Sequence, residues 1–229
     1  MKTSFQTGLG KVSLLIVLAI LAGLGFFFLS GGDEVRRSAE LKALEVVGNV
    51  ASRRMPDDVA GGFHQIPIER KELAPGIYQA TGVANTHMIT TSEGDVLFDS
   101  GLALQVPQQI KLLEEVARGP LTHIIVSHSH ADHIGGVKFW HEEGVEIVAH
   151  KEFLEEQRYL KELEPYLWSR NRAVFPWIPE QPPSSGLVAY GGVQPTLEVG
   201  EGDYRFEQGG VEFVVMDTPG AEGADNISL

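Results

Sequence analysis

The 229-residue sequence contains no cysteine. That absence excludes disulfides, thiolate-ligated zinc and a lipid-modified cysteine, so any metal must be held by nitrogen and oxygen ligands. Positive charge is scarce as well. Lys+Arg number 18 against 31 Asp+Glu, a formal net charge of -13. Only Lys2 and Lys11 are charged before residue 30, which leaves 16 basic against 31 acidic side chains in the remainder, a net of -15. A surface that acidic repels a phosphate backbone, so no nucleic-acid partner is expected. Hydrophobic residues make up 43% of the chain, enough at this length for one sizeable domain with an N-terminal extension.

Charge is missing altogether from Val12 to Leu29, an 18-residue apolar run. That is close to the ~20 residues a helix needs to cross a bilayer. Lys2 and Lys11 precede the run, and Asp33 and Glu34 follow it. The positive-inside rule then places residues 1–11 in the cytoplasm, 12–29 as a transmembrane signal anchor, and the rest in an extracytoplasmic, periplasmic space. A cleaved signal peptide, giving a secreted protein, is the alternative, but Ser30-Gly31-Gly32 is a poor cleavage site. Residues 30–73 read as a linker, with a weak helical pattern (Leu41, Leu44, Val47, Val50) ended by Pro56 and Gly61-Gly62.

The domain at 74–229 reads as α/β layers. Strands are expected at Ile77 to Thr81, Asn85 to Thr91 and Asp95 to Asp99, the last two forming a hairpin around Ser92-Glu93-Gly94. Val106, Ile110, Leu113 and Ala117 share a face, which predicts a helix from Val106 to Arg118, stopped by Gly119-Pro120. Leu121 to Val126 is the next strand. A short helix over Gly136 to Glu143, a strand at Val145 to Ala149 and a helix over Lys151 to Leu163 follow. Residues 164–192, rich in aromatics and proline, are expected to be an irregular loop. Trp168, Trp177, Arg170 and Arg172 in it are candidates for a substrate wall, against the alternative of a surface loop with solvated charges. Strands close the chain at Thr196 to Val199, Tyr204 to Glu207, Val211 to Met216 and Asn226 to Leu229.

The chemistry concentrates in Ser127-His128-Ser129-His130-Ala131-Asp132-His133, closed by Ile134-Gly135-Gly136. Three imidazoles and a carboxylate fall within six positions directly after a buried strand, and no packing requirement produces that. On extended chain, residues two apart point the same way, so His128 and His130 can converge on one ion. Gly135-Gly136 would let the backbone turn sharply, so that Asp132 and His133 face a second. Imidazole and carboxylate suit zinc, with iron or manganese possible. Two such ions can activate a hydroxide at neutral pH, and Asp132 could orient it or take its proton.

This motif resembles the signature of the metallo-β-lactamase-fold hydrolases. The likeness extends to Gly76 to Gly101 and to Met216 to Leu229. It implies an αββα sandwich with the metals at one edge of the two sheets, His128 and His130 on the first ion and Asp132 and His133 on the second. Most members place a third first-site histidine directly after the Thr-Pro-Gly turn. Here Ala221 holds that position and Glu222 follows, as in the alkylsulfatase branch, so the resemblance implies Glu222 as a ligand. Asp99, at a strand end, is expected to hydrogen-bond a ligand rather than bind metal itself. His87 and His123 read as core or surface groups, His150 as a cap, and His64 and His141 as surface.

The family's bridging carboxylate and final histidine have no counterpart before Leu229. Asp225 stands too close to Glu222 for the bridging role. The chain therefore reads as an incomplete sandwich, its C-terminal half missing, and this polypeptide alone is expected to bind metal weakly and to have little activity. The leading expectation is a dinuclear zinc hydrolase of alkyl sulfate esters, a homodimer in full-length form. The alternatives are another hydrolase of the same fold (lactonase, thioesterase or β-lactamase) and a non-catalytic, membrane-tethered domain.

Overall fold

The computed structural model describes residues 32–54, 67–174, 180 and 192–229. The apolar run at 12–29, His64 and Trp177 lie outside the described residues. Among the described residues no helix is long and apolar enough to cross a membrane. The chain divides into two units, Met1–Lys42 and Ala43–Leu229. Helix α1 (Asp33–Arg54) starts in the first unit, with Asp33 and Glu34 in its first turn. Carboxylates there face the positive end of the helix dipole. The helical pattern of Leu41, Leu44, Val47 and Val50 falls within this helix, and Pro56 and Gly61-Gly62 lie outside the described residues.

The second unit is built on two sheets. The larger has seven strands in sequence order. Strands β1 (Arg70–Ala74), β2 (Ile77–Ala80), β3 (Thr86–Thr91) and β4 (Gly94–Phe98) form an antiparallel meander. Strands β5 (Leu121–Ile125), β6 (Glu146–His150) and β7 (Leu197–Val199) then continue parallel to β4. The switch has a topological reason. Antiparallel neighbours need only tight turns, whereas parallel neighbours need a crossover. Crossovers appear from β4 onward: α2 (Val106–Glu114) before β5, α3 (Ala131–Ile134) and α4 (Val137–Trp140) before β6, and α5 (Phe153–Glu162) and α6 (Glu164–Val174) before β7. The smaller sheet is antiparallel, in the order β10 (Ile227–Ser228), β9 (Val211–Asp217), β8 (Tyr204–Gln208).

Alternation along each strand decides what lies between the sheets. Val96, Ile125, Val148 and Val199 from the large sheet meet Phe213, Val215 and Ile227 from the small one in a single buried cluster. Leu97, Ile124 and Ile147 point the other way and are also buried, so the central strands are covered on both faces, as parallel strands require. On that second side α2 packs against β1 and β2, and α4 against β5. The buried face of α2 is Val106, Gln109, Ile110 and Leu113. The α/β layering read from the sequence is therefore present.

Three expectations need correction. Helix α2 stops at Glu114, one turn before Arg118, because Gly119-Pro120 is preceded by a non-helical stretch whose Arg118 and Gly119 N–H groups donate to the Asp95 carboxylate at 2.8 and 3.4 Å. Strand β1 has no counterpart among the expected strands, since all five of its residues are exposed and mostly charged or polar in character at its start. Its pairing is made by backbone bonds to β2, and Arg70 adds a bond to Glu115 at 2.7 Å. Residues 164–192 are not wholly irregular: α6 occupies Glu164–Val174. Pro165 misleads there, because proline near a helix N-terminus removes no intrahelical bond.

Candidate metal centre

Strands β4, β5 and β6 are parallel, so the segments that follow them emerge at one edge of the sheet, where sites in such sheets are built. The histidine motif follows β5. His130 is still extended (φ -67, ψ 145), and α3 begins at the next residue, with His133 and Ile134 N–H groups bonding back to His130 O at 3.0 and 3.1 Å. That change from extended to helical backbone separates the pair His128 and His130 from the pair Asp132 and His133.

The Gly135-Gly136 pair serves a different purpose from the sharp turn expected of it. Both residues are right-handed, at φ -61 and -96, values open to any amino acid. Space is the reason for glycine. A Cβ on Gly135 would lie 2.6 Å from Ala103 N, and one on Gly136 only 2.1 Å from Ser100 O. Ser100 clasps the same segment: its N–H and Oγ both donate to His133 O, at 2.9 and 2.7 Å, and its Oγ accepts from Gly136 N at 3.1 Å.

The opposite wall comes from the small sheet. Strands β9 and β10 form a hairpin whose loop, Thr218 to Asn226, carries Glu222. Thr218 N–H donates to Asn226 O at 3.1 Å, and Gly220 N–H to Gly223 O at 2.7 Å. Gly220 has φ +88, a left-handed conformation that favours glycine. Here the two loops converge. A ring nitrogen of His128, a ring nitrogen of His130 and a Glu222 carboxylate oxygen all lie within 4.8 Å of one another. His128 Nε2 and His130 Nδ1 are 3.0 Å apart. A tetrahedral zinc ion with bonds of about 2.0–2.1 Å separates its nitrogen ligands by about 3.3 Å, so the pair needs little adjustment to share an ion. His128 is buried, His130 half-buried and Glu222 exposed, which leaves one side of the set open.

Electrostatics sets the ring tautomers. Ser127 Oγ lies 2.9 Å from Asp99 Oδ2 and 2.9 Å from His128 Nδ1. The hydroxyl has one proton, which it gives to the carboxylate, so it accepts from Nδ1–H and leaves Nε2 of His128 with its lone pair toward the cluster. Burial, followed by the charges of His133 and His130, lowers the His128 pKa to about 4, so the ring is neutral and able to ligate at neutral pH. His133 shifts the other way. Burial alone would lower it, but the hydrogen bond and charge of Asp99, with Asp132 and Glu222, raise it overall. Its Nδ1 donates to Asp99 Oδ2 at 2.7 Å, and its Nε2 stands 3.8 Å from Asp132 Oδ2. Asp132 and His133 thus lie beside the three-residue set and are not part of it.

Asp99 holds these groups from a strained backbone. It is the one non-glycine residue among those described with a positive φ, +58, a region aspartate tolerates better than most residues. Besides holding His133 it accepts Ser127 N–H at 2.8 Å through Oδ1. Among the described residues, no other histidine joins the His128, His130 and Glu222 set. His123 stacks on Phe206 at 4.5 Å and faces Glu146 at 3.4 Å; His87 is tilted against Phe98. Burial lowers the pKa of both. His150 accepts Glu152 N–H at 3.1 Å and lies 3.2 Å from Asp217. Trp168, Arg170 and Arg172 lie on α6, which has no buried residue, and the Arg170 guanidinium donates to Asn171.

Residues 80–221 match the metallo-beta-lactamase superfamily. The chain belongs to that superfamily. The matched region holds the whole histidine motif and ends one residue before Glu222. Solved structures of similar fold include the stereoselective inverting sec-alkylsulfatase Pisa1 from Pseudomonas sp., at 21% identity and TM-score 0.55, covering 70% of this chain and 29% of that one. A metallo-beta-lactamase from Cronobacter sakazakii matches at 20% identity and TM-score 0.53, covering 71% and 54%. A B3 metallo-beta-lactamase described as the first with an active-site glutamic acid matches at 17% identity and TM-score 0.54, covering 77% and 62%. The chain therefore spans less than two thirds of the length of each. At these identities the likeness is one of fold. No curated protein matches the sequence.

Two participants escape a reading of the sequence. Ser127 reads there only as the opening of the motif, though a hydroxyl beside an imidazole and just past a strand is a signal for tautomer control. Asp225 reads there only as too close to Glu222 for the bridging role. Its carboxylate is buried and accepts Ser129 N–H at 2.8 Å.

Proposed function

We propose that the chain is a zinc-dependent hydrolase of this superfamily whose first ion is held by His128, His130 and Glu222 and whose second ion is approached by Asp132 and His133, with alkyl sulfate esters as substrates. The observation that carries the reading is the convergence of Glu222, 92 positions along the chain from His130, with the two imidazoles to within 4.8 Å. A dication bound there supplies Lewis acidity, polarising a substrate oxygen and lowering the pKa of water. The chain's own residues do the rest. Ser127 and Asp99 keep His128 and His133 in the tautomers that present Nε2. Asp132, half-buried beside the three-residue set, can orient an attacking water and accept its proton. The exposed side at Glu222 is where an ester would enter. Carboxylate in place of a third imidazole makes the ligand set harder and more anionic, and still suitable for zinc.

The sulfate ester is favoured by the Pro-Gly-x-Glu pattern of the turn and by the fold shared with a sec-alkylsulfatase. A β-lactam substrate is the second reading, favoured by the fold shared with a B3 enzyme that has an active-site glutamate. Release of inorganic sulfate from a secondary alkyl sulfate, measured by ion chromatography on the longest natural form of the protein, decides between them. Sulfate release that disappears with Glu222→Ala is the expected result. Turnover of a β-lactam with no sulfate release would overturn the substrate assignment.

A further inference from the structure

The His128–His130 loop follows β5 in the large sheet, and the Glu222 loop joins β9 to β10 in the small one. Ligands on two separate supports hold a metal only if something fixes the distance between the supports. Asp225 does this directly. It is 1% exposed, and its Oδ2 accepts the N–H of Ser129, the residue between the two ligating histidines, at 2.8 Å across 96 positions of sequence. Its neighbours complete the seam. Asn226 Oδ1 accepts Glu222 N–H at 3.2 Å, and Ile227 N–H donates to Ser127 O at 2.8 Å. Three consecutive residues, 225–227, thus bind the glutamate's own backbone and both flanks of His128. Gly223 is part of the fit: a Cβ there would come within 2.7 Å of Asp225 Oδ1. A buried carboxylate is costly unless it is hydrogen-bonded, so its placement against a ligand loop calls for a role.

We propose that Asp225 is a positioning residue of the metal site, setting the distance between the imidazole pair and the Glu222 carboxylate through its bond to Ser129 N–H. This rests on the reading of His128, His130 and Glu222 as one site. Outer-sphere hydrogen bonds of this kind are worth about 10–100-fold in metal affinity.

The test is a cobalt(II) titration of the purified chain against a competing chelator, read by visible absorption, with thermal melting of each metal-free variant alongside. Asp225→Ala is expected to lose about 10–100-fold in affinity and to alter the cobalt spectrum. Asp225→Asn, whose amide oxygen can still accept from Ser129, recovers most of the loss. Gly223→Ala, which keeps the charge but crowds the carboxylate, weakens binding in the same direction and carries the test should Asp225→Ala fail to fold. Parental affinity in Asp225→Ala overturns the proposal, as does an equal loss in Asp225→Asn, which would make the effect one of charge, or an unaffected Gly223→Ala. His130→Ala in the same titration separates the two levels. If it loses affinity and Asp225→Ala does not, only the positioning role falls; if neither matters, the metal site itself falls and takes the positioning role with it.

Discussion

Replacing His130 with alanine is expected to lower metal affinity at the proposed first site by more than 100-fold and to abolish the sulfate release proposed for the longest natural form, while the melting temperature of the metal-free chain stays near that of the parent. The asymmetry follows from where the ring sits. His130 is half-buried, and its ring nitrogen Nδ1 faces His128 Nε2 at 3.0 Å. Little packing is lost with it, and the backbone change from extended to helical at His130 does not depend on the side chain. What is lost is one of the three proposed ligands. Removing an outer-sphere partner costs about 10–100-fold in affinity, and a direct ligand costs more. Equilibrium dialysis against zinc with calorimetric melting makes the measurement. Affinity within a few-fold of the parent would mean that His130 is not a ligand.

The second large effect is on folding. Gly136→Ala is expected to destabilise the domain by about 3 kcal/mol or more, at the upper end of the usual cost of overpacking. For a chain of this size that lowers Tm by roughly 6–12 °C, taking about 2–4 °C per kcal/mol. The new methyl would lie 2.1 Å from Ser100 O and 3.0 Å from Ser100 C. Both are backbone atoms, in a segment pinned by the bonds from Ser100 to His133 O. They cannot retreat as a flexible side chain would, and the displacement passes straight into the ligand loop. Gly144 supplies the comparison. It has φ +90 and open space where its Cβ would be, so alanine there carries only left-handed strain, about 1–2 kcal/mol. A Gly136→Ala variant no less stable than Gly144→Ala would show that the close approach is not what requires glycine.

His130 and Gly136 mark the two sides of what a sequence can reveal. The motif from His128 to His133 is legible because its chemistry is local: four ligand-type side chains within six positions after a buried strand serve no packing need and suit a metal. The elements around it are legible to within a few residues, because the periodicities of α2, β5 and β6 are set by burial on known faces. Glu222 is legible through a resemblance, not through periodicity. What stays hidden depends on contacts distant in sequence. Nothing near Gly136 announces that Ser100 O presses against it. Asp225 reads only as too close to Glu222 for a bridging role, until the fold brings its carboxylate to Ser129 N–H. Strand β1 hides because its backbone makes the pairing and its side chains all face water. Helix α6 hides because it buries no residue and so lacks the apolar stripe by which helices are recognised.

The proposal that His128, His130 and Glu222 share one ion is central to this chemistry, and a crystal of the chain grown with zinc tests that sharing directly. Anomalous difference maps on either side of the zinc edge are expected to place a peak about 2.0–2.2 Å from His128 Nε2, His130 Nδ1 and a Glu222 oxygen together. A peak bound to the histidines with Glu222 turned away, or no peak at the motif at saturating zinc, would contradict it.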